Sequence, residues 1–332
     1  MLSSSLKRLF VAATVVAATV ASLPAQAAYS GITFFGDSLS DTGNVAIATG
    51  GAIPPSPYFL GRFSDGAVWT DYLAGGLGFS AKPSLSGGNN FAFGGARTGA
   101  DPNDAVPGLL AQTAGLWAPS LPGGAADPHR LYVLVGGGND MRDAREAFQT
   151  NSTADQDGRQ AAAELATDQL IMSLGVLASK GAKTVLIANL PDLGRTPEAV
   201  GLGLVEASTD ATNRFNALIP TVFATGLALG LDMRFVDFAG IANGVFLDAT
   251  SNGGATFGIT NVTSPCGAFF PGGGPKCSLS AFSDDLHPTT RVHQLFGEAA
   301  LASVTAVPEP ETYALFALGL AALAWRARRR AN

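Results

Sequence analysis

Five short apolar runs stand out along the chain: Ile32–Phe35, Phe91–Phe93, Leu131–Val135, Thr184–Leu190 and Met233–Phe238. Their length suits buried strands rather than helices. Between the later runs the apolar positions change period. Arg159–Lys180 repeats Ala, Leu and Ile at three- and four-residue spacing and stops at Gly181, a C-terminal cap signal. Thr212–Leu229 behaves alike and stops at Gly230, and a last helix is predicted over Thr289–Val304. Strands alternating with helices predict βαβ units and a parallel sheet, with ligands beyond the carboxyl ends of its strands. The Gly- and Pro-rich stretch from about 50 to 128 reads as mostly loop, long enough to form a binding surface.

Both ends have a pattern of their own. Lys7 and Arg8 precede the uncharged apolar run Leu9–Leu23, and Ala25-Gln26-Ala27 is a small-x-small cleavage site. Residues 1–27 therefore read as a secretory signal. At the other end, Val307-Pro308-Glu309-Pro310 is followed by the apolar Tyr313–Trp325 and by Arg326, Arg328, Arg329 and Arg330. This is a short membrane segment held on the cytoplasmic side by its arginines. The order closely resembles the PEP-CTERM sorting signal of Gram-negative bacteria. That resemblance implies export, transient anchoring, processing by an exosortase, and a final place at the cell surface or in the extracellular matrix. Three segments result: 1–27 signal, 28–305 core, 306–332 sorting segment.

Charge narrows the partners. The 332-residue chain is formally −6, and six of its basic but only two of its acidic residues lie in the ends, which leaves the core at −10. An acidic core disfavours nucleic acid. With 47% hydrophobic and 14% charged residues it is not a disordered chain. Its two cysteines, Cys266 and Cys277, are too few for a Cys-based zinc site. Export would permit a disulfide between them, pinning a Gly-rich loop for roughly 2–3 kcal/mol; two buried free thiols are the alternative. No His cluster offers a metal site, and no Gly-x-Gly-x-x-Gly follows a strand, so neither metal nor cofactor is expected. Asp155-x-Asp157-Gly158 with Glu164 partly matches a calcium loop, but Thr153 stands where the first ligand belongs.

Candidate chemistry collects at strand ends. The first strand runs into Gly36-Asp37-Ser38-Leu39, which places a serine at the functional edge of the sheet. If a helix begins near Ser38, its free N–H groups can hold an anion there; Ser38 as a simple helix cap is the plainer reading. The third run ends in Gly136-Gly137-Gly138-Asn139-Asp140, where an amide donor follows glycines that let backbone approach a ligand. Asn89–Ala96 is again a strand meeting glycines. Of three histidines, His287 precedes a Pro-initiated helix and follows Asp284 and Asp285. A general base needs such an orienting carboxylate within hydrogen-bond reach.

Taken together, these blocks resemble the GDSL family of the SGNH hydrolase superfamily, in order and over nearly the whole core. Gly36–Leu39 matches the first block, Asn90–Ala96 the second, Gly138-Asn139-Asp140 the third and Asp284-x-x-His287 the last. Pro57–Ser64 and Asn189–Gly194 also look like family segments and read as scaffold. The resemblance implies a flavodoxin-like three-layer α/β/α sandwich with a five-stranded parallel sheet. It implies Ser38 as nucleophile, His287 as base and Asp284 as its orienting carboxylate. Ser38, Gly95 and Asn139 would form the oxyanion hole, with Gly94 and Asp285 as alternatives to Gly95 and Asp284. The implied activity is hydrolysis of carboxylic esters, as an esterase or lipase and as a monomer. A polysaccharide deacetylase and a non-catalytic matrix protein on the same scaffold are the alternatives, the 50–128 loops being expected to set substrate choice.

Overall fold

The computed structural model describes residues 29–270 and 272–305. The expected signal and sorting segments lie outside the described residues. The strands are β1 (Ile32–Gly36), β2 (Leu131–Val135), β3 (Thr184–Ala188), β4 (Asp232–Val236), β5 (Asn261–Pro265) and β6 (Ser280–Phe282). The helices are α1 (Asn44–Ala48), α2 (Trp69–Gly76), α3 (Gly138–Ala147), α4 (Thr153–Ser179), α5 (Pro197–Leu202), α6 (Val205–Ala228), α7 (Phe238–Asn252) and α8 (Thr290–Thr305).

β1 to β4 form one parallel sheet in the order β1-β2-β3-β4. Alternate residues face opposite sides, as the strand period requires. Phe35, Leu134 and Ile187 pack with Leu170 and Leu174 of α4 and Phe215 of α6. Phe34, Val133 and Leu186 pack with Trp69 of α2, Phe238 of α7 and Phe296 of α8. The result is the expected three-layer α/β/α sandwich with a parallel sheet at its centre.

Among the described residues the sheet has four strands rather than five. Residues 89–93 do run along β1: Phe34 N–H donates to Asn89 O (3.0 Å), Phe91 N–H to Phe34 O (2.8 Å) and Phe93 N–H to Gly36 O (3.1 Å). The segment nonetheless makes only isolated bridges, Phe34 to Asn90 on one side and Pro83 to Asn90 on the other. The Ala92 amide bonds the Asn90 side chain (2.9 Å), and the Asn44 amide caps the Asn90 and Ala92 carbonyls (both 2.8 Å). Side chains thus take the place of a regular ladder.

The stretch 50–128 is less loop-like than its Gly and Pro content predicts. It holds α2 and a helix over 109–120 with a π-helical middle, Ala111–Trp117. Trp69 and Leu73, one helical turn apart, are both buried and anchor α2 despite its poor propensity. The long helices end as their glycines require. Gly181 and Gly230 have φ of 96° and 80°, and the Ala182 and Leu231 amides reach back to Leu177 O and Gly226 O (both 3.1 Å), closing Schellman motifs. Asp155, Asp157 and Gly158 lie in the first turns of α4, not in a loop. Cys266 and Cys277 are joined by a disulfide that closes the loop between β5 and β6.

Candidate active site

The register pairs Gly36 with Val135, so the segments leaving β1 and β2 emerge side by side at the carboxyl edge. After β1 the chain makes one tight turn rather than a helix. Asp37 O accepts from the amides of Ser40 (3.0 Å) and Asp41 (2.9 Å), and Asp37 Oδ1 accepts from Leu39 N–H (3.0 Å). Asp37, not Ser38, is therefore the capping residue, and Ser38 is left facing the cleft. Burial pushes the Asp37 carboxyl up to about 6, against the opposing Leu39 amide and His287.

Ser38 Oγ lies 2.9 Å from His287 Nε2, and His287 Nδ1 lies 2.6 Å from Asp284 Oδ2. With the ring proton on Nδ1, the serine hydroxyl donates to Nε2. Asp284 Oδ1 accepts from the amides of Leu286 (2.8 Å) and His287 (2.5 Å), which shapes the tight turn that the three-residue spacing demands. Burial pushes the Asp284 carboxyl up. The hydrogen bond and charge of His287, with its amide and the Tyr58 hydroxyl, outweigh that and hold it at about 2. Asp285 instead accepts the Glu198 amide on its backbone carbonyl (2.8 Å). The other histidines are elsewhere: His129 is exposed, and His293 is buried in α8.

Donors gather around Ser38. The Ser38 and Gly95 amides have no partner among the described residues, whereas Gly94 N–H is committed to Asp41 Oδ2 (3.0 Å). That distinguishes the two glycines, and Gly95, at φ 84°, needs its missing Cβ to turn there. Asn139 sits in the first turn of α3. One N–H of its amide donates to Ala96 O (2.9 Å), which leaves the other. Asp140 accepts from the Thr98 amide (3.1 Å) and hydroxyl (2.8 Å), so the third block clamps the loop of the second. Glu198 links α5 to the same region: Arg142 and Arg145 grip its carboxylate, and Arg142 Nη1 reaches Asn139 Oδ1 (3.4 Å). Burial raises the Glu198 carboxyl, but the two arginines win and hold it below its usual range.

A cleft of about 350 Å³ opens from Ser38, Asn139 and His287. Val245 and Phe246 of α7 and Val292 and Phe296 of α8 give it an apolar wall, while Arg195, Asn213 and Asn216 supply polar groups. Such a size suits a small organic ligand. No residue of 50–128 lines this cleft among the described residues; the stretch reaches the site instead through Gly95 and Tyr58. The two segments read as scaffold do more than that. Leu190 to Leu193 line the cleft, Tyr58 O–H donates to Asp284 Oδ2, and the Phe63 ring lies 5.3 Å from that of His287. Two aromatics six and one positions before Ser64 carried no chemical signal by themselves; only the fold brings them to the site.

The GDSL-like Lipase/Acylhydrolase family model matches residues 32–300, and a PEP-CTERM protein-sorting motif matches 306–330. The chain therefore belongs to the GDSL-like lipase/acylhydrolase family, a class of ester hydrolases. Among characterised relatives, it is 28% identical to a phosphatidylcholine-sterol acyltransferase of Aeromonas hydrophila, over 86% of this chain and 93% of that protein. It is 27% identical to the esterase EstA of Pseudomonas aeruginosa over 90% of this chain, which spans only 50% of EstA. Lipase 1 of Photorhabdus luminescens shares 30% identity over 58% of this chain and 27% of its own length.

Proposed function

We propose that the protein is an exported serine esterase or lipase that hydrolyses carboxylic esters through an acyl-enzyme on Ser38. The observation that carries this reading is the unbroken hydrogen-bonded series Ser38–His287–Asp284 at the mouth of a mostly apolar cleft.

Ser38 Oγ attacks the ester carbonyl as His287 Nε2 takes its proton. Asp284 keeps the ring proton on Nδ1 and stabilises the imidazolium. The carbonyl oxygen, now negative, is held by the Ser38 and Gly95 amides and the free N–H of Asn139. His287 returns the proton to the leaving alcohol. Water then repeats the sequence on the acyl-enzyme, and Ser38 is regenerated.

The wall of Val245, Phe246, Val292 and Phe296 supports an aliphatic acyl group as the preferred occupant. It gives less support to the alternatives, an acetylated sugar or a matrix-binding role without turnover. The sorting motif supports export, transient anchoring and exosortase processing, as in the Gram-negative proteins that carry such tails.

The test is hydrolysis of p-nitrophenyl esters from acetyl to palmitoyl by the wild type and Ser38→Ala. Ser38-dependent turnover, strongest on medium or long chains, is expected. Turnover that survives the substitution would overturn the mechanism, and a strict acetyl preference would favour the deacetylase.

A further inference from the structure

Asp284 Oδ2 accepts two side-chain donors, His287 Nδ1–H and the hydroxyl of Tyr58, which reaches it from 226 positions earlier in the chain. Tyr58 is itself held from two sides. The Phe269 ring meets it edge-on at 4.8 Å, and the Phe63 ring at 6.2 Å. Phe269 belongs to the short loop that the Cys266–Cys277 disulfide closes, where its amide donates to Cys266 O (2.9 Å). The segment after Tyr58 is pinned to the His287 loop. Ser64 Oγ donates to Pro288 O (2.9 Å), and Asp65 N–H donates to Ser283 Oγ (3.1 Å).

We propose that Tyr58 is a positioning residue for the catalytic array, fixing Asp284 against His287, and that Phe269 of the disulfide-closed loop holds Tyr58 in place. This rests on the hydrolase reading of Ser38. The physical logic has two parts. The Leu286 and His287 amides hold Asp284 Oδ1, and among the described residues the Tyr58 hydroxyl is the one donor besides the imidazole that fixes Oδ2, the oxygen facing the ring. That donor also draws charge from Oδ2, which weakens its pull on the imidazolium. Burial and Asp284 both push the Tyr58 hydroxyl up, so it stays a donor across the working range. The titratable groups around His287 are Asp284, Asp37 and, from α8, His293; Asp285 acts on Tyr58.

Tyr58→Phe keeps the ring contacts and removes only the hydroxyl. The expected result is a fall of roughly tenfold in kcat with KM little changed, the scale of one hydrogen bond to a charged group. The acid limb of the kcat/KM profile should move to higher pH, because the unrelieved carboxylate favours the imidazolium more. Phe269→Ala should lower kcat in the wild type but add little in the Tyr58→Phe background, since it acts through that hydroxyl. Unchanged kcat and acid limb in folded Tyr58→Phe would overturn the role of Tyr58. Costs that multiply in the double variant would overturn the role of Phe269. Turnover that survives Ser38→Ala, measured alongside, would overturn the hydrolase reading itself and this inference with it.

Discussion

Gly94 is the floor on which Phe63 rests: a Cβ built at Gly94 would fall 2.1 Å from Phe63 Cε2. Phe63 in turn packs its ring 5.3 Å from that of His287. The glycine is therefore required by a neighbour's ring and not by its own backbone, and through that ring it bears on His287. Gly94→Ala must displace Phe63, an overpacking that costs about 1–3 kcal/mol. A lowered thermal midpoint and a reduced kcat are expected together, measured by calorimetry and ester turnover. Restored turnover in Gly94→Ala/Phe63→Leu would show that the ring, not the amide, was disturbed.

One amide N–H of Asn139 holds Ala96 O, and in the proposed mechanism the other meets the reacting oxygen. Asn139→Ala should lower kcat by about 10²–10³ with KM nearly unchanged, the usual effect of losing one oxyanion donor. A change confined to KM would instead mark Asn139 as a binding residue.

Ala242 of α7 lines the cleft among larger apolar side chains. Ala242→Phe should shorten it. Turnover of palmitoyl esters is expected to drop by more than roughly tenfold while that of acetyl esters is retained, because each lost methylene contact weakens the transition state. Equal loss at every chain length would place the acyl group elsewhere.

His293 gives a pH signature independent of catalysis. Its Nδ1 accepts from Trp69 N–H (3.3 Å) and its Nε2 is buried without a partner among the described residues. Burial, with the charge of His287, lowers its titration from 6.5 to about 3. As pH falls below about 6.5 the unfolded chain takes a proton that the folded one refuses, so stability is lost from there toward about pH 3. The slope approaches about 1.4 kcal/mol per pH unit for one proton. Asp37, raised to about 6, contributes the opposite slope over part of that window. The difference between wild type and His293→Gln isolates His293: denaturant midpoints followed from pH 7 to 4 should fall less steeply in the variant. Parallel curves would show that His293 is not neutral in the fold.

Much of this was legible in the chain. Leu131–Val135 coincides with β2, and Gly181 and Gly230 do terminate the two long helices, because apolar period and left-handed glycines are local properties. Asp284-x-x-His287 could be read as a pair, since three residues of turn bring them together. What was hidden depends on long-range packing. Residues 89–93 have the composition of a strand, yet on their outer edge only Asn90 meets backbone, that of Lys82 and Ser84, before the Asn44 side chain takes over. The sequence favours Gly95 over Gly94 only through the family pattern; the physical difference, Asp41 taking the Gly94 amide from 53 residues away, shows only in the fold. Tyr58 and Phe63 look like scaffold until the fold carries them to Asp284 and His287.

The central claim is that Ser38 is the nucleophile activated by His287. It is tested most directly by reacting the folded protein with a fluorophosphonate ester and mapping the adduct by intact-mass and peptide mass spectrometry. One adduct per chain on Ser38, abolished in His287→Ala and paralleled by loss of ester turnover, is the expected result. An unmodified Ser38 in protein that still hydrolyses esters, or an adduct on another residue that tracks the loss of activity, would contradict it.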